Sequence, residues 1–482
     1  MVLGIDVGTQ GVRCVALDGE RRVVGRGESP LATESPRDGW AVQRAEAIWN
    51  GVQAAVRDVV QGLGRQANQI TAIGLDATAS LLVADENGQP LTDVILWMDV
   101  RAEKEAKLIG GLTGRVESAE LPWPKAVWLS HHHGDVFKPE HRLVEVADWI
   151  IWRMTGEVTR SQASAVLKWY GTAPHYLPEW ANLFSTVRQA LPRRVVRAGE
   201  VAGICLPDVA EAMGLARDVC VAGPMIDAYA GAVGSGALKV GTMALILGSS
   251  NCELFHGHRL AAAAGLWGPF KDIYDLDLEV LEAGQPSTGS VARWVEHTMG
   301  QGLSLPELDR LAAELRPGAD GVKFFPAFQG VRSPWPDAAA RGKIHGLSLH
   351  HQPAHLLRAV YEGTAFEIRR TMDVVQMTDL HRMVASGGGT RSRLWLEIIA
   401  DICDLPLEIA DNESVPRGAA LLAAMAVGRI DSLAAFRAAW PALGPSTHSH
   451  AYHALYREYT AEFPLKGGGM RTTGEPLGAN GE

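Results

Sequence analysis

Asp227 is the carboxylate of this sequence that is best placed to do chemistry. It lies in a run of small and apolar residues, 223–237, that follows a predicted buried strand at 219–222 and continues as a predicted close-packed helix from 228. A carboxylate between a strand and a helix start commonly faces a cleft in α/β proteins, and the helix end favours an anion there. The alternative is a plain N-cap aspartate that only closes the helix end.

A glycine turn near the start of the chain is suited to binding phosphate. An apolar strand pattern ends in Asp6, and a turn containing Gly8, Thr9 and Gln10 leads into an alternating strand at 12–18. Glycine lets backbone N–H groups approach phosphate oxygens, and the threonine hydroxyl adds a donor. The aspartate would hold a metal ion through hard oxygen coordination by way of water. An ordinary hairpin turn is the alternative.

The same arrangement recurs in the second part of the chain. Residues 241–247 predict a strand, residues 252–255 predict the returning strand, and between them lies a loop that contains Gly248, Ser249 and Ser250. Two halves that begin in the same way predict a duplicated fold in which a phosphate chain lies between two loops.

A third glycine turn consists of Gly387, Gly388 and Gly389. It follows a strand predicted at 383–386 and precedes a helix predicted at 392–403. Because glycine has no side chain, a flat base or a ribose can lie directly against this backbone. The sequence contains no Gly-x-x-x-x-Gly-Lys-Ser/Thr loop, so a P-loop would not hold ATP here.

Polar residues near the ends of other predicted strands are candidates for the same cleft. Asp76 ends a strand predicted at 70–76, and Asp99 and Arg101 end a strand predicted at 94–101, although a surface ion pair explains the latter two equally well.

The sequence pattern alone does not assign a role to two charged residues farther along the chain. Lys168 stands beside Trp169 and could pack its stem on aromatic rings while its head points to solvent. Glu282 falls in a polar glycine loop predicted over 281–289.

Length, composition and charge limit the classes of protein. The chain has 482 residues, 47% hydrophobic and 21% charged, with a net charge of −10, which predicts two or three domains of an ordinary globular protein. No basic stripe is present, so neither nucleic acid nor an anionic membrane is expected as a partner. Five cysteines without a CxxC pair, no signal peptide pattern and no membrane-length apolar run predict a cytoplasmic location.

Taken together, these segments resemble the FGGY carbohydrate kinases from about residue 2 to about residue 430. The most specific match is residues 342–347 (GKIHGL) with residues 355–362 (HLLRAVYE), which fit the second signature of the family throughout. The first signature, around Pro122, Lys125 and Trp128, fits in part. The family's Gly-Glu-Arg-Ser-Pro segment reads GVRSP at 330–334, so Val331 supplies no carboxylate.

The resemblance implies an α/β fold of two actin-like (ribonuclease H-like) ATPase domains with an interdomain cleft. Residues 1–237 would form the N-terminal domain, which binds the sugar and carries the catalytic base. Residues 238–440 would form the C-terminal, nucleotide-binding domain, and residues 441–482 would add a helix and a frayed tail from 467.

Within the family the chain is most similar to the ribulokinase branch. The resembling segments are 76–78 (DAT), 96–102 (LWMDVRA), 168–169 (KW), 267–269 (WGP) and 282–285 (EAGQ). This similarity implies that Ala77, Lys168, Asp227 and Glu282 contact a ketopentose, and Asp76, Asp99 and Arg101 are expected in the same pocket.

The expected reaction is transfer of the γ-phosphate of ATP to the terminal hydroxyl of a ketopentose, with Asp227 as the base. Mg²⁺ is expected near Asp6 and Asp227. D-ribulose is the first choice of sugar, and L-ribulose and xylulose come next. A sugar sensor without catalysis and an actin-like ATPase are the alternatives from other classes. A homodimer is compatible with the sequence, and the oligomeric state stays open.

Overall fold

The computed structural model describes residues 1–114, 117–263, 265–274, 276–436 and 438–465. The tail predicted from residue 467 lies outside these residues. The strands of the first part of the chain are β1 (Val2–Gly8), β2 (Gly11–Leu17), β3 (Val23–Pro30), β4 (Val42–Gln43), β5 (Ala72–Ala77), β6 (Leu81–Ala84), β7 (Val94–Ile95), β8 (Arg142–Glu145), β9 (Thr159–Ser161), β10 (Arg194–Val196), β11 (Val201–Ile204), β12 (Cys220–Ala222) and β13 (Met225–Ile226). Its helices are α1 (Ala45–Leu63), α2 (Glu103–Thr113), α3 (Pro122–His132), α4 (Val146–Thr155), α5 (Gln162–Leu167), α6 (Ser185–Ala190), α7 (Pro207–Met213) and α8 (Asp227–Gly234).

The first large sheet is built around β1. Its strand order is β11-β12-β5-β1-β2-β3, with β13 added beside β5. β1 runs antiparallel to β2 and parallel to β5, and β12 runs parallel to β5. Every residue of β5 and all but the last of β1 are buried, as expected for strands covered on both faces.

The second part of the chain contains strands β14 (Thr242–Leu247), β15 (Asn251–Gly257), β16 (Trp267–Phe270), β17 (Glu279–Ala283), β18 (Lys323–Phe325), β19 (Lys343–His345), β20 (Arg382–Ser386), β21 (Leu407–Ile409) and β22 (Ala442–Leu443). Its helices are α9 (Gly289–Met299), α10 (Leu305–Ala313), α11 (Pro353–Val375), α12 (Arg393–Cys403), α13 (Ser414–Ala426) and α14 (Ser449–Glu462).

The second large sheet repeats the first. Its order is β16-β17-β15-β14-β20-β21-β22. β14, β15 and β17 form an antiparallel series, β20 lies parallel to β14, and β21 lies parallel to β20. β14 with β15 therefore corresponds to β1 with β2, and β20 corresponds to β5. The duplication predicted from the two similar hairpins is confirmed at the level of strand order and direction.

Helix α13 joins the two halves, although it lies late in the sequence. It packs against β1 and β5 of the first sheet and against α8. A Cβ added to Gly74 would lie 1.8 Å from the carbonyl oxygen of Ala419, so only glycine lets the helix approach β5 this closely. One apolar core contains buried residues of both halves around these helices. The two halves therefore share one apolar core around α8 and α13.

Two predicted elements are wrong. The strand predicted over 94–101 is limited to Val94–Ile95, because the Asp99 carboxylate accepts hydrogen bonds from Ala41 N–H and Arg101 N–H and holds the chain in a turn. The loop predicted over 281–289 is also too long, since Glu282 lies in β17 and is paired with Leu254 of β15. No helix in the described ranges is both long and apolar enough to cross a membrane.

Candidate active site

Sheet register brings three aspartates to the end of the first sheet. β1 and β5 are parallel, and their register places Asp6 beside Asp76. β13 lies on the other side of β5, where Met225 pairs with Asp76 and Ile226 pairs with Ala77. Asp227 follows β13 immediately, so the three carboxylates lie at the same end of three neighbouring strands, Asp6 in β1, Asp76 in β5 and Asp227 just after β13.

Asp227 is the first residue of α8, and the N-cap position belongs to Ile226. Its Oδ1 accepts a hydrogen bond from the N–H of Ala228 at 2.7 Å. Burial and then the charge of Asp6 raise the pKa of Asp227 to about 6. A carboxylate with this pKa is ionised at neutral pH and is a stronger base than an ordinary aspartate, which suits a general base.

Asp76 is the most deeply buried of the three aspartates. Its side chain is 0% exposed, and neither carboxylate oxygen accepts a hydrogen bond from an N–H or hydroxyl group of the residues that the structure describes. Burial, followed by the charges of Asp6 and Asp227, raises the pKa of Asp76 well above its ordinary value. Such a group is costly to bury in its charged form unless a cation approaches it.

The aspartates could hold a magnesium ion only together with ligands that a nucleotide and water supply. Among the residues that the structure describes, no group of three or more His, Cys, Asp or Glu side chains is arranged to hold a metal ion by itself. Mg²⁺ in phosphoryl-transfer sites takes one or two carboxylates and completes its octahedron with water and substrate phosphates. Asp6 and Asp227 remain the predicted ligands, and the unpartnered oxygens of Asp76 add a third carboxylate nearby.

Arg13 belongs to this group and was missed by the sequence analysis. It lies opposite Asp6 in the β1–β2 hairpin, and its Nε donates to Asp6 Oδ2 at 2.8 Å. Its Nη1 also donates to the carbonyl of Asn412 at 3.2 Å, just before α13. The signal was available, because directly opposed residues of an antiparallel hairpin share one face.

Lys168 and Glu282 meet from different halves of the chain. The Lys168 ammonium donates to Glu282 Oε1 at 2.7 Å and to Oε2 at 2.9 Å. The lysine head therefore points at a carboxylate and not at solvent. The hydroxyl of Tyr229, which the sequence analysis also missed, donates to Glu282 Oε2 at 2.7 Å. Because Tyr229 lies in α8, this carboxylate is linked to the helix that begins with Asp227.

Asp99 and Arg101 form a buried pair with its own partners. Asp99 Oδ2 accepts from Arg101 Nη2 at 2.7 Å and from Ala41 N–H at 2.6 Å, and Oδ1 accepts from Arg101 Nε at 2.9 Å. The Arg101 guanidinium lies 3.8 Å from the centre of the Trp40 ring. Sugar binding by this pair stays a prediction, and its hydrogen bonds favour a role in shaping the turn.

The first glycine turn presents Thr9 between β1 and β2. Thr9 Oγ1 accepts a hydrogen bond from the indole N–H of Trp97 at 3.1 Å, and its carbonyl accepts from Gln43 Nε2 at 2.8 Å. The hydroxyl hydrogen remains free to donate to a phosphate. Gly8 is partly exposed and Gln10 is exposed beside it.

The second glycine turn is fixed to the start of α9. The carbonyl of Ser249 accepts from the N–H groups of Thr288 at 2.9 Å and Ser290 at 3.1 Å. Ser249 is exposed, whereas Gly248 and Ser250 are partly exposed. Phosphate binding at both turns stays a prediction, supported by their matching places in the two sheets.

The third glycine turn has one open position. Gly387 has φ 93°, and a Cβ on it would lie 2.6 Å from the carbonyl oxygen of Leu247, so the end of β14 requires glycine there. A Cβ placed on Gly388 would have no atom of the described residues within 4 Å. A Cβ on Gly389 would lie 2.7 Å from the Leu247 side chain. The backbone at Gly388 thus borders open space, as the predicted nucleoside contact requires.

The doubled sheet and the carboxylates at the end of its first half are compatible with a two-domain α/β phosphotransferase, and comparison with known proteins identifies the family. The profile of the FGGY carbohydrate kinase N-terminal domain matches residues 1–234, and that of the C-terminal domain matches residues 243–427. The chain therefore belongs to the FGGY family of carbohydrate kinases. Membership implies ATP and a sugar as its substrates.

Individual relatives carry more than one name. The ribulokinase of Geobacillus thermodenitrificans is 28% identical over 89% of this chain and 86% of its own. The xylulose kinase of Lactococcus lactis is 26% identical over 90% of this chain and 89% of its own. The crystal structure of a xyloylose kinase from Brucella ovis superimposes with a TM-score of 0.85 at 26% identity, covering 96% of this chain and 98% of that one. Because relatives at similar identity are named for different sugars, they do not identify the sugar of this chain.

Proposed function

We propose that this protein is an ATP-dependent kinase that phosphorylates the terminal hydroxyl of a ketopentose, with D-ribulose as the substrate and D-ribulose 5-phosphate as the product. L-ribulose and xylulose are the alternative acceptors. The observation that carries the proposal is Asp227, a partly buried aspartate at a helix start whose pKa is raised to about 6 beside two further carboxylates.

In the proposed reaction, the sugar hydroxyl attacks the γ-phosphorus of ATP while Asp227 accepts its proton. A bond forms between the sugar oxygen and phosphorus, the bond from phosphorus to the β,γ-bridging oxygen breaks, and ADP leaves. Mg²⁺, when bound near Asp6 and Asp227, supplies positive charge that offsets the charge of the phosphates. The turns at Thr9 and Ser249 position the phosphates through N–H and hydroxyl donors.

The sugar site of the proposal is the pair of Lys168 and Glu282. Together these side chains offer N–H donors and carboxylate acceptors with no net charge, which suits the neighbouring hydroxyl and carbonyl groups of a ketose. Tyr229 holds Glu282 from the side of α8. The similarity to ribulokinases at residues 76–78 and 282–285 favours ribulose, whereas relatives named xylulose kinase match with similar identity.

We also retain the boundary at 237/238 as a proposal, with the base and Lys168 on the N-terminal side, and Glu282 of the sugar site on the C-terminal side together with the nucleoside. The same proposal includes a cytoplasmic location and Mg²⁺ as the metal, and a homodimer is compatible with it.

A coupled ADP-release assay with Mg-ATP and a panel of ketopentoses, pentitols and glycerol tests the proposal. Turnover on D-ribulose well above all other acceptors is the expected result. Turnover on xylulose alone would agree with Asp227 as the base and would overturn D-ribulose as the substrate. ADP release that no sugar increases would favour an actin-like ATPase, and sugar binding without ADP release would favour a sensor.

A further inference from the structure

Arg332 and Glu120 form another side-chain contact between the two halves, in addition to that of Lys168 with Glu282. Arg332 Nη2 donates to Glu120 Oε2 at 3.0 Å and to Oε1 at 3.2 Å. The guanidinium also lies 5.9 Å from the centre of the Trp97 ring. The side chains are 17% and 27% exposed, so the pair is partly shielded from water.

On the side of the first half, Glu120 is linked to the Thr9 turn through Lys125. The Lys125 ammonium is fully buried and donates to the carbonyls of Glu120 at 2.8 Å, Leu96 at 2.8 Å and Trp97 at 2.5 Å. Trp97 in turn donates its indole N–H to Thr9 Oγ1. Lys125 thus holds two backbone segments together through contacts with three carbonyl groups.

On the side of the second half, the Arg332 segment is linked to the Ser249 turn. The carbonyl of Ser333, next to Arg332, accepts a hydrogen bond from Gln285 Nε2. The backbone of Gln285 exchanges two hydrogen bonds with Asn251, the residue that follows the turn: Asn251 N–H donates to its carbonyl at 3.0 Å, and its N–H donates to Asn251 Oδ1. Arg332 and Glu120 therefore close an unbroken chain of contacts between the two glycine turns.

We propose that Arg332 and Glu120 are positioning residues that align the two phosphate-binding turns with each other across the cleft. The proposal rests on the proposed function, because the turns need alignment only if one phosphate chain lies between them. Neither residue touches the reacting atoms in this scheme. Since phosphoryl transfer depends on positioning and on charge stabilisation, and a displacement of about 1 Å can cost about 100-fold in rate, loss of the pair should lower kcat.

The test compares Arg332→Met, Glu120→Gln and the double variant in the ADP-release assay, at saturating and subsaturating ATP and sugar. We expect each single variant to lower kcat by about 10- to 100-fold with KM values within about threefold of the wild type. Because the two residues act as a unit, the double variant should be no slower than the slower single variant. Arg332→Lys keeps the charge and should recover part of the rate.

A matched control is Arg26→Gln. Arg26 also joins the halves, through Glu413 at 2.7 Å, but it stands outside the chain of contacts. This variant should retain the wild-type kcat. Thermal unfolding of every variant separates a kinetic effect from loss of the fold, and Glu120→Gln serves if Arg332→Met does not fold.

Three results would overturn the inference while the wild type remains an active sugar kinase. They are an unchanged kcat in both single variants, a raised KM with unchanged kcat, and rate losses that multiply in the double variant. A wild type that shows no sugar-dependent ADP release would instead remove the proposed function, and the inference with it.

Discussion

Replacement of Asp227 by asparagine should remove activity and stabilise the protein at the same time. The change keeps the shape of the side chain and removes its charge and its basicity. A general base contributes about 10²–10⁴-fold to the rate, so kcat/KM should fall by at least about 100-fold. The wild-type kcat/KM should rise with pH to a plateau above about pH 6, because Asp227 must be ionised to accept a proton.

The expected gain in stability follows from the same pKa. In the folded protein the pKa of Asp227 is raised from 3.8 to about 6, so the folded state binds the proton more tightly than the unfolded chain does. The contribution of this group to stability is fully present below about pH 4 and is lost as pH rises through about 6. The full difference between the folded and unfolded pKa corresponds to about 3 kcal/mol in the free energy of unfolding. Because the Asp227 side chain is partly exposed, we expect about 1–3 kcal/mol.

Urea denaturation of wild type and Asp227→Asn at pH 4 and pH 7 measures this difference. The two proteins should differ little in free energy of unfolding at pH 4, and the variant should be more stable by about 1–3 kcal/mol at pH 7. Asp208, an exposed aspartate in the first turn of α7, provides the matched control, and Asp208→Asn should leave turnover unchanged. The reasoning is refuted if Asp227→Asn keeps more than a tenth of the wild-type kcat/KM, or if its stability relative to wild type does not increase with pH.

Three further predictions follow from the remaining contacts. Glu282→Gln removes the charge that accepts hydrogen bonds from Lys168 and Tyr229, and a hydrogen bond to a charged group contributes about 1.5–3 kcal/mol. Initial-rate kinetics should therefore show the KM for the sugar rising by about 10- to 100-fold. An unchanged KM would exclude the pair of Lys168 and Glu282 from the sugar site. Gly74→Ala places a methyl group 1.8 Å from the Ala419 carbonyl, so the free energy of unfolding measured in urea should fall by more than about 2 kcal/mol, and a loss below about 0.5 kcal/mol would show that α13 can shift freely. Removal of Mg²⁺ with EDTA should abolish turnover and its readdition should restore it, whereas full activity in EDTA would contradict a metal at the aspartates.

Local chemistry made part of this site predictable. The helix start at Asp227 and the turns at Thr9 and Ser249 are encoded by residues within a few positions of each other, where glycine, hydroxyl and carboxylate groups follow a strand. The duplication was visible for the same reason, since each half begins with the same short hairpin pattern. Sheet register then brought Asp6, Asp76 and Asp227 together, which adjacent spacing alone cannot specify.

Long-range pairing made the rest unpredictable. The polar, glycine-rich neighbours of Glu282 predict a loop. In the structure Glu282 lies in a strand, which is stabilised by pairing with β15 and by the side chain of Lys168, 114 positions away. Arg332 and Glu120 are 212 positions apart, and no local pattern relates them. The segment around Asp99 shows the opposite case, because a predicted strand is a turn that hydrogen bonds to the Asp99 carboxylate hold in place.

The central claim is that a sugar hydroxyl, activated by Asp227, receives the γ-phosphate of ATP. Incubation of the protein with γ-labelled ATP, Mg²⁺ and D-ribulose, followed by separation of the products, tests it most directly. With the wild type, label should appear in a pentulose 5-phosphate in an amount equal to the ADP formed. With Asp227→Asn, no label should appear in the sugar. Label found only as inorganic phosphate, at a rate that the sugar does not change, would contradict it.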